Sequence, residues 1–239
     1  MNDHRPYPRP AGTPVMRMQW HDLLFAHWRQ PIGPIRSLIP SGLILDTFAG
    51  DAWIGVVPFR MSNVAPRGVP AIPKLSRFPE LNVRTYVTHG GRAGVWFFSL
   101  DAASWLTVRG ARRFFHLPYY DATMSCSGDT RIHYHSRRSR GEAPASFVAE
   151  YGPAGEEFRS SPGTLEHWLT ERYCLYSTDR SGRLFRGEVD HCRWPLVPAR
   201  ATFTENTMVD AIGLSVSGPP DSLLFARRLD VVAWSLVAA

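Results

Sequence analysis

Phe78-Pro79-Glu80-Leu81-Asn82-Val83-Arg84-Thr85-Tyr86-Val87 is the stretch on which the fold turns. Side chains on a strand alternate between faces, so Glu80, Asn82, Arg84 and Tyr86 share one face while Leu81, Val83 and Thr85 share the other. A polar series in period two has three readings. It meets solvent, it holds an ordinary Glu–Arg ion pair, or it lines a buried cavity whose polar groups need partners. In the third reading this strand is one wall of a ligand site. Gly94–Asp101 reads as its partner strand across the glycine-rich turn His89–Ala93. Gly90-Gly91-Arg92-Ala93-Gly94 lacks the Lys and Ser/Thr of a phosphate-binding loop and the glycine spacing of a dinucleotide fingerprint, so it reads as a hairpin turn.

Working outward, most segments read as strands. Leu43–Phe48 and Ala52–Phe59 flank the turn Ala49-Gly50-Asp51. Met16–Trp28 fits a strand or a short helix, and periodicity does not decide between them. Ile32–Leu38 reads as a helical turn between prolines, and Ser62–Pro79, with four prolines, as a long excursion of the lid or binding-loop kind. Ala103–Phe115 is the best helix candidate. Tyr120–Cys126, Arg131–Ser136 and Ser146–Tyr151 alternate as short strands, and Gly163–Thr170 reads as a helical turn opened by Ser161-Pro162. Arg172–Ser177 and Leu184–Val189 follow as strands, Glu205–Ile212 as a short helix, and Leu223–Arg227 and Leu229–Leu236 as the last two strands. Residues 1–14 hold four prolines and no periodicity and read as a loose tail, with residues 15–239 as a single domain.

Composition excludes several classes. Of 239 residues, 44% are hydrophobic and 20% charged, which excludes a wholly disordered chain. No apolar run approaches the roughly 20 residues that span a membrane, and Met1–Pro10 has no secretory apolar core. Cys126, Cys174 and Cys192 are odd in number with no CxxC spacing, which argues against a disulfide framework or structural zinc and for a cytoplasmic protein. The net charge is +6, and Lys74 is the only lysine. The densest basic stretch, with Arg137, Arg138 and Arg140, reads as a solvated loop rather than a nucleic-acid contact. His133 and His135 share a strand face, but two ligands do not make a metal site, and no metal or other cofactor is assigned.

Several motifs point together to a family. They are Phe25-Ala26-His27-Trp28, Leu38-Ile39-Pro40-Ser41-Gly42-Leu43, Ala52-Trp53-Ile54-Gly55-Val56-Val57-Pro58-Phe59, the Phe78–Val87 stretch and Gly94-Val95-Trp96-Phe97-Phe98-Ser99-Leu100-Asp101. Ala111-Arg112, Leu117-Pro118-Tyr119-Tyr120, Leu169-Thr170-Glu171-Arg172-Tyr173 and His191-Cys192-Arg193-Trp194-Pro195-Leu196 complete the set. Over about residues 16–236 the chain resembles the DUF2071, or YqjF-like, family of bacterial proteins. That family is similar in fold to acetoacetate decarboxylase, and the resemblance implies an α+β, β-dominated domain with strongly curved, barrel-like sheets around a cavity. Decarboxylases of that superfamily form a Schiff base on a pocket lysine, assisted by arginine and glutamate. The matching region here runs from Ala111-Arg112-Arg113 through Pro118-Tyr119-Tyr120. Tyr119 or Tyr120 stands where the lysine would be, so imine chemistry is not implied.

The leading reading is a cavity protein for a small organic acid or carbonyl compound, acting, if it is an enzyme, without a lysine. Glu80 is then the candidate base, Arg84 and Arg112 a clamp for an anionic group, and Tyr119 or Tyr120 a donor to developing oxyanion charge. Asn82, Tyr86, Asp101 and His191 are the expected ligand-binding neighbours. The alternatives are a non-catalytic ligand-binding or protein-interaction module, and a scaffold whose polar interior is only a hydrogen-bond network. The expected partner is a small, anionic organic molecule, with no nucleic acid and no membrane; a homo-oligomer stays open.

Overall fold

Runs of β-branched and aromatic residues separated by Gly, Pro and Asp turns fold here into one extended sheet that closes on itself. The computed structural model describes residues 4–72, 76–103, 109, 115–138 and 144–239. Lys74, Arg112, Arg113 and Arg140, and most of the expected helix Ala103–Phe115, lie outside the described residues. The strands are β1 (Met16–Gln30), β2 (Ile44–Leu45), β3 (Ala52–Pro66), β4 (Phe78–His89), β5 (Arg92–Ala102), β6 (Tyr119–Ser127) and β7 (Ile132–Arg138). They continue with β8 (Ser146–Pro153), β9 (Cys174–Thr178), β10 (Leu184–Asp190), β11 (Leu196–Asn206), β12 (Ser222–Ala233) and β13 (Val237–Ala238). Two short helices, α1 (Ile32–Ser37) and α2 (Leu165–Thr170), complete the described secondary structure with a 3-10 turn at Asp210–Ile212. No helix among the described residues is long and apolar enough to cross a membrane.

The pairing forms two circuits. Strands β5-β6-β7-β8-β11-β12-β1-β3-β4 run side by side, and β4 pairs back onto β5, which closes a nine-strand barrel. β9 and β10 bridge the same sheet from outside, because β9 runs parallel to β5 and β10 pairs with β12. The shared strands β12, β1, β3, β4 and β5 are therefore covered on both faces. One face packs the barrel interior with Leu24, Val56, Leu81, Val83, Tyr134, Phe147 and Phe225. The other packs Phe25, Val57, Phe59, Leu100, Tyr119, Trp194 and Leu224. Double coverage explains why Leu23–Ala26 of β1 and Ala52–Phe59 of β3 read as continuous apolar runs rather than alternating ones.

Two bulges reverse the alternation within the shared strands. Asp22 and Asn63 both have φ 52°, in the left-handed region that non-glycine residues seldom adopt. Before Asp22 the even residues Met18 and Trp20 face the second core, and after it the odd residues Leu23 and Phe25 do. Each bulge inserts one residue against β3 or β1, which turns every following side chain over.

Of the two readings open for Met16–Trp28, the strand is the one formed, as part of β1. Several other expectations are corrected. Residues 205 and 206 continue β11, and only Asp210–Ile212 is helical, because Phe203 and its neighbours pack on β8 and the barrel core. The last two expected strands are one, β12, and β2 pairs with β4 rather than forming a hairpin with β3. Within residues 4–14, Arg5 and Arg9 reach β10. Arg5 is buried there, donating to the Val189 carbonyl (2.6 Å) and pairing with Asp190 (2.9 Å) and Glu188 (3.2 Å). Those two buried carboxylates need counter-ions that the sheet alone does not fully supply.

Tight packing at the top of β3 gives a stability prediction. A Cβ on Gly55 would stand 2.6 Å from His27 Nε2 and 2.8 Å from its Cδ2. Gly55→Ala is expected to cost about 1–3 kcal/mol in denaturant unfolding. Gly42→Ala in the turn before β2, where a Cβ meets nothing within 4 Å and φ is not positive, is expected to be neutral or stabilising by up to about 1 kcal/mol. Equal effects at the two sites would contradict this packing.

Candidate functional site

Between the shared sheet and the β9–β10 bridge lies a cavity of about 390 Å³. Its walls are mostly apolar, with Met18, Trp20, Val64, Phe97, Leu100 and Trp194, and a few polar side chains reach it: Glu80, Arg84, Tyr119, Thr170, Arg172 and His191. Trp20 stacks on Trp194 at 5.9 Å and 17°, and Trp194 stands edge-on to Phe25 at 4.9 Å. An apolar chamber with a few converging polar groups is the usual form of a small-molecule site.

Glu80 reaches the cavity because β4 keeps its alternation intact. The register shift between β4 and β5 falls opposite, where Phe98 is the extra residue on β5. Glu80 is buried without an ion-pair partner among the described residues; the Tyr119 hydroxyl donates to its Oε2 at 3.0 Å. Burial pushes the carboxyl up to about 8, only partly offset by that hydrogen bond. Glu80 is therefore mainly a neutral acid at pH 7. Tyr119 is raised well above its ordinary value by its own burial and then by Glu80, so it stays a hydroxyl donor.

Arg84 lies two positions along the same face. Its Nη2 donates to the Tyr86 hydroxyl and the Leu169 carbonyl, both at 3.3 Å, while its Nε is buried without a partner. No carboxylate among the described residues pairs with it, so the Glu80–Arg84 ion pair is not formed. Tyr86 donates to Leu169 O at 2.9 Å and lies 2.6 Å from His27 Nε2. Fully buried His27 is held well below its ordinary value by desolvation first and by Arg84 second, so it adds no charge. Arg172, just after α2, donates through Nε to Trp168 O (2.6 Å) and through Nη1 to Asp46 (2.7 Å), leaving Nη2 buried and unpartnered. His191 Nδ1 lies 2.7 Å from the Cys192 carbonyl, which can only accept, so Nε2 is the bare acceptor of the neutral ring. Burial lowers its basicity.

The structure thus brings Glu80, Arg84, Tyr119 and His191 to one cavity, with Tyr86 behind Arg84. Asn82 is buried nearby with Oδ1 unpartnered but does not line the space. Asp101 does not line it either: it pairs with Arg138 on another wall, at 2.8 and 3.2 Å, a partner too distant in sequence to anticipate. Tyr120 points to an outer groove, with the Arg138 guanidinium 3.8 Å from its ring centre. Arg112 lies outside the described residues. Arg172, Thr170 and His27 were missed as site residues; the only signal was their presence in family-like motifs. Among the described residues no group of three His, Cys, Asp or Glu side chains gathers for a metal.

Between its ordinary value of 4.5 and about 8, folded Glu80 keeps a proton that the unfolded chain releases, so its contribution falls as pH rises through that window. Glu80→Gln is expected to gain on the wild type by about 1.4 kcal/mol per pH unit across it, measured by urea unfolding from pH 5 to 8. A pH-independent difference would contradict a buried neutral acid.

Comparison with known proteins places this geometry. The DUF2071 family model, described as an uncharacterized conserved protein, matches residues 17–230. The chain is 44% identical over 229 residues to uncharacterized protein YqjF of Bacillus subtilis (strain 168), covering 95% of this chain and 93% of that one. Among solved structures it is similar to acetoacetate decarboxylase from Legionella pneumophila, with TM-score 0.65, 12% identity and 99% and 94% of the two chains covered. It is also similar to the enduracididine biosynthesis enzyme MppR complexed with pyruvate, with TM-score 0.63, 12% identity and 95% and 91% coverage. An acetoacetate decarboxylase-like enzyme from Sphingomonas wittichii RW1 matches at TM-score 0.61, 11% identity and 98% coverage of both chains. At such identities the likeness is one of fold, and the fold is that of acetoacetate decarboxylase. The match along nearly the whole chain, with a relative so close in sequence, makes this protein a member of the DUF2071 family.

Proposed function

We propose that the cavity binds a small organic anion, with Arg84 taking the anionic group and the Glu80–Tyr119 pair meeting a carbonyl or hydroxyl oxygen. The carrying observation is the charge balance: Arg84 has no carboxylate partner among the described residues, its Nε is orphaned, and Glu80 is held as a neutral acid. Asp46 already balances Arg172. A buried guanidinium cannot shed its proton, so among the described residues the cavity carries one unbalanced positive charge that a monoanion would neutralise. The apolar walls suit a ligand with a hydrocarbon body. Pyruvate, which accompanies one protein of like fold, is the smallest member of such a series.

In this reading Glu80 is also the acid–base group. A carboxyl poised near neutrality and fixed by the Tyr119 hydroxyl suits proton transfer beside a carbonyl, with the neutral Glu80 carboxyl donating its own O–H to the oxygen where charge grows. The reading needs no lysine. Native mass spectrometry separates catalysis from simple binding, since a binder returns its ligand unchanged.

Three outcomes are expected. Calorimetric affinity for straight-chain 2-oxo acids rises about fourfold per added methylene until the cavity is full. Arg84→Gln weakens each acid at least about tenfold while changing the corresponding amide little; equal losses for acid and amide would contradict anion recognition. Incubation with acetoacetate and borohydride leaves the intact mass unchanged, and a reduced adduct on Lys74, lost together with turnover in Lys74→Arg, would overturn the lysine-free account.

A further inference from the structure

The bulges at Asp22 and Asn63 have a second effect. Over the segment between them the cavity face carries Met18, Trp20 and Met61, so the opposite face of β1 and β3 carries Gln19, His21, Arg60 and Ser62. Gln19 lies opposite Ser62, and His21 opposite both Arg60 and Arg228, in the registers of β1 with β3 and β12. Together with Arg77 they border a groove of about 490 Å³. Cys126, partly buried against the barrel core, closes one side.

We propose that this groove is a second ligand site, one for the phosphate group of a small phosphorylated molecule. Its cations exceed the anions available to them. Arg77 is exposed and has no hydrogen-bond or ion-pair partner among the described residues. Among the described residues Arg228 pairs only with the exposed Asp230, at 3.5 Å. The buried Asp22 pairs with Arg60 and with Arg227, and Arg227 also meets the exposed Asp129 at 3.2 Å, so among the described residues the four guanidinium groups Arg60, Arg77, Arg227 and Arg228 face three carboxylates, Asp22, Asp129 and Asp230. The neutral side chains of the lining are tied to one another and add no charge: the Ser62 hydroxyl donates to Gln19 Oε1 at 3.1 Å and lies 2.8 Å from His21 Nε2. Burial pushes the Cys126 thiol up to about 12, so no thiolate adds negative charge.

Guanidinium groups approaching from three separate segments suit a tetrahedral dianion with three terminal oxygens better than a planar carboxylate. The site is separate from the cavity, because alternation sends its side chains to the other face of the same strands.

The test uses the full chain at low ionic strength in a buffer free of phosphate. Phenyl phosphate is titrated by calorimetry against the wild type and the double variant Arg77→Gln/Arg228→Gln, whose positions are both exposed and leave the core untouched. Saturable binding to one site is expected, at least about tenfold tighter than for benzoate and weakened at least about tenfold in the double variant. Near-UV circular dichroism confirms that the variant keeps its packing. Absence of saturable binding up to about 10 mM, equal affinity for benzoate, or undiminished affinity in the folded double variant would each overturn the proposal.

Discussion

A carboxyl group taken out of water must gain a counter-charge or keep its proton, and Glu80 keeps its proton. That constraint organises the cavity. The only hydrogen bond to the Glu80 carboxyl among the described residues comes from Tyr119, which ties β4 to the start of β6 across the β5 edge. Because Glu80 is neutral, Arg84 on the same strand face is left without an internal anion. A strand with one acid and one base two positions apart would ordinarily cancel its own charge. Here the apolar walls and the direction of each side chain keep the two apart, and the cavity retains a positive site.

The sheet explains how such a strand survives burial on both faces. The bridge made by β9 and β10 gives β4 a second interior, and each interior takes one half of its alternation. Leu81 and Val83 fill the barrel, while Glu80 and Arg84 reach the chamber. The remaining polar groups near Arg84 are tied to backbone carbonyls at the end of α2, which Thr164 caps through its side chain. Segment 4–9 supports the outer wall by placing Arg5 between the buried Glu188 and Asp190.

Much of this was legible in the sequence, for a definite reason. Period two is a property of the strand itself, so the shared face of Glu80, Asn82, Arg84 and Tyr86 could be read without knowing any partner. The hairpin at Gly90-Gly91 was equally local, since both residues take positive φ as a tight turn demands. What was not legible depended on distant chain. Asp101 looked like a pocket residue because nothing near it in sequence signals Arg138. Tyr119 and Tyr120 could not be separated until β6 was seen to pair with β5 and fix which one faces inward. The bulges at Asp22 and Asn63 lie in ordinary polar–apolar patterns, so the reversal that divides the cavity face from the outer groove leaves no local trace. Arg172 follows a helix too short to announce itself.

The account rests on the protonation state of Glu80, and carbon-detected NMR of its side-chain carboxyl reads that state directly. With Glu80→Gln supplying the assignment, the free protein should show the Glu80 carboxyl titrating with a midpoint near 8, its signal that of the neutral acid at pH 6. A midpoint near the ordinary 4.5 would mean that Glu80 is a carboxylate throughout the neutral range, that it balances Arg84 from within, and that the cavity has no unpaired charge to offer an anion.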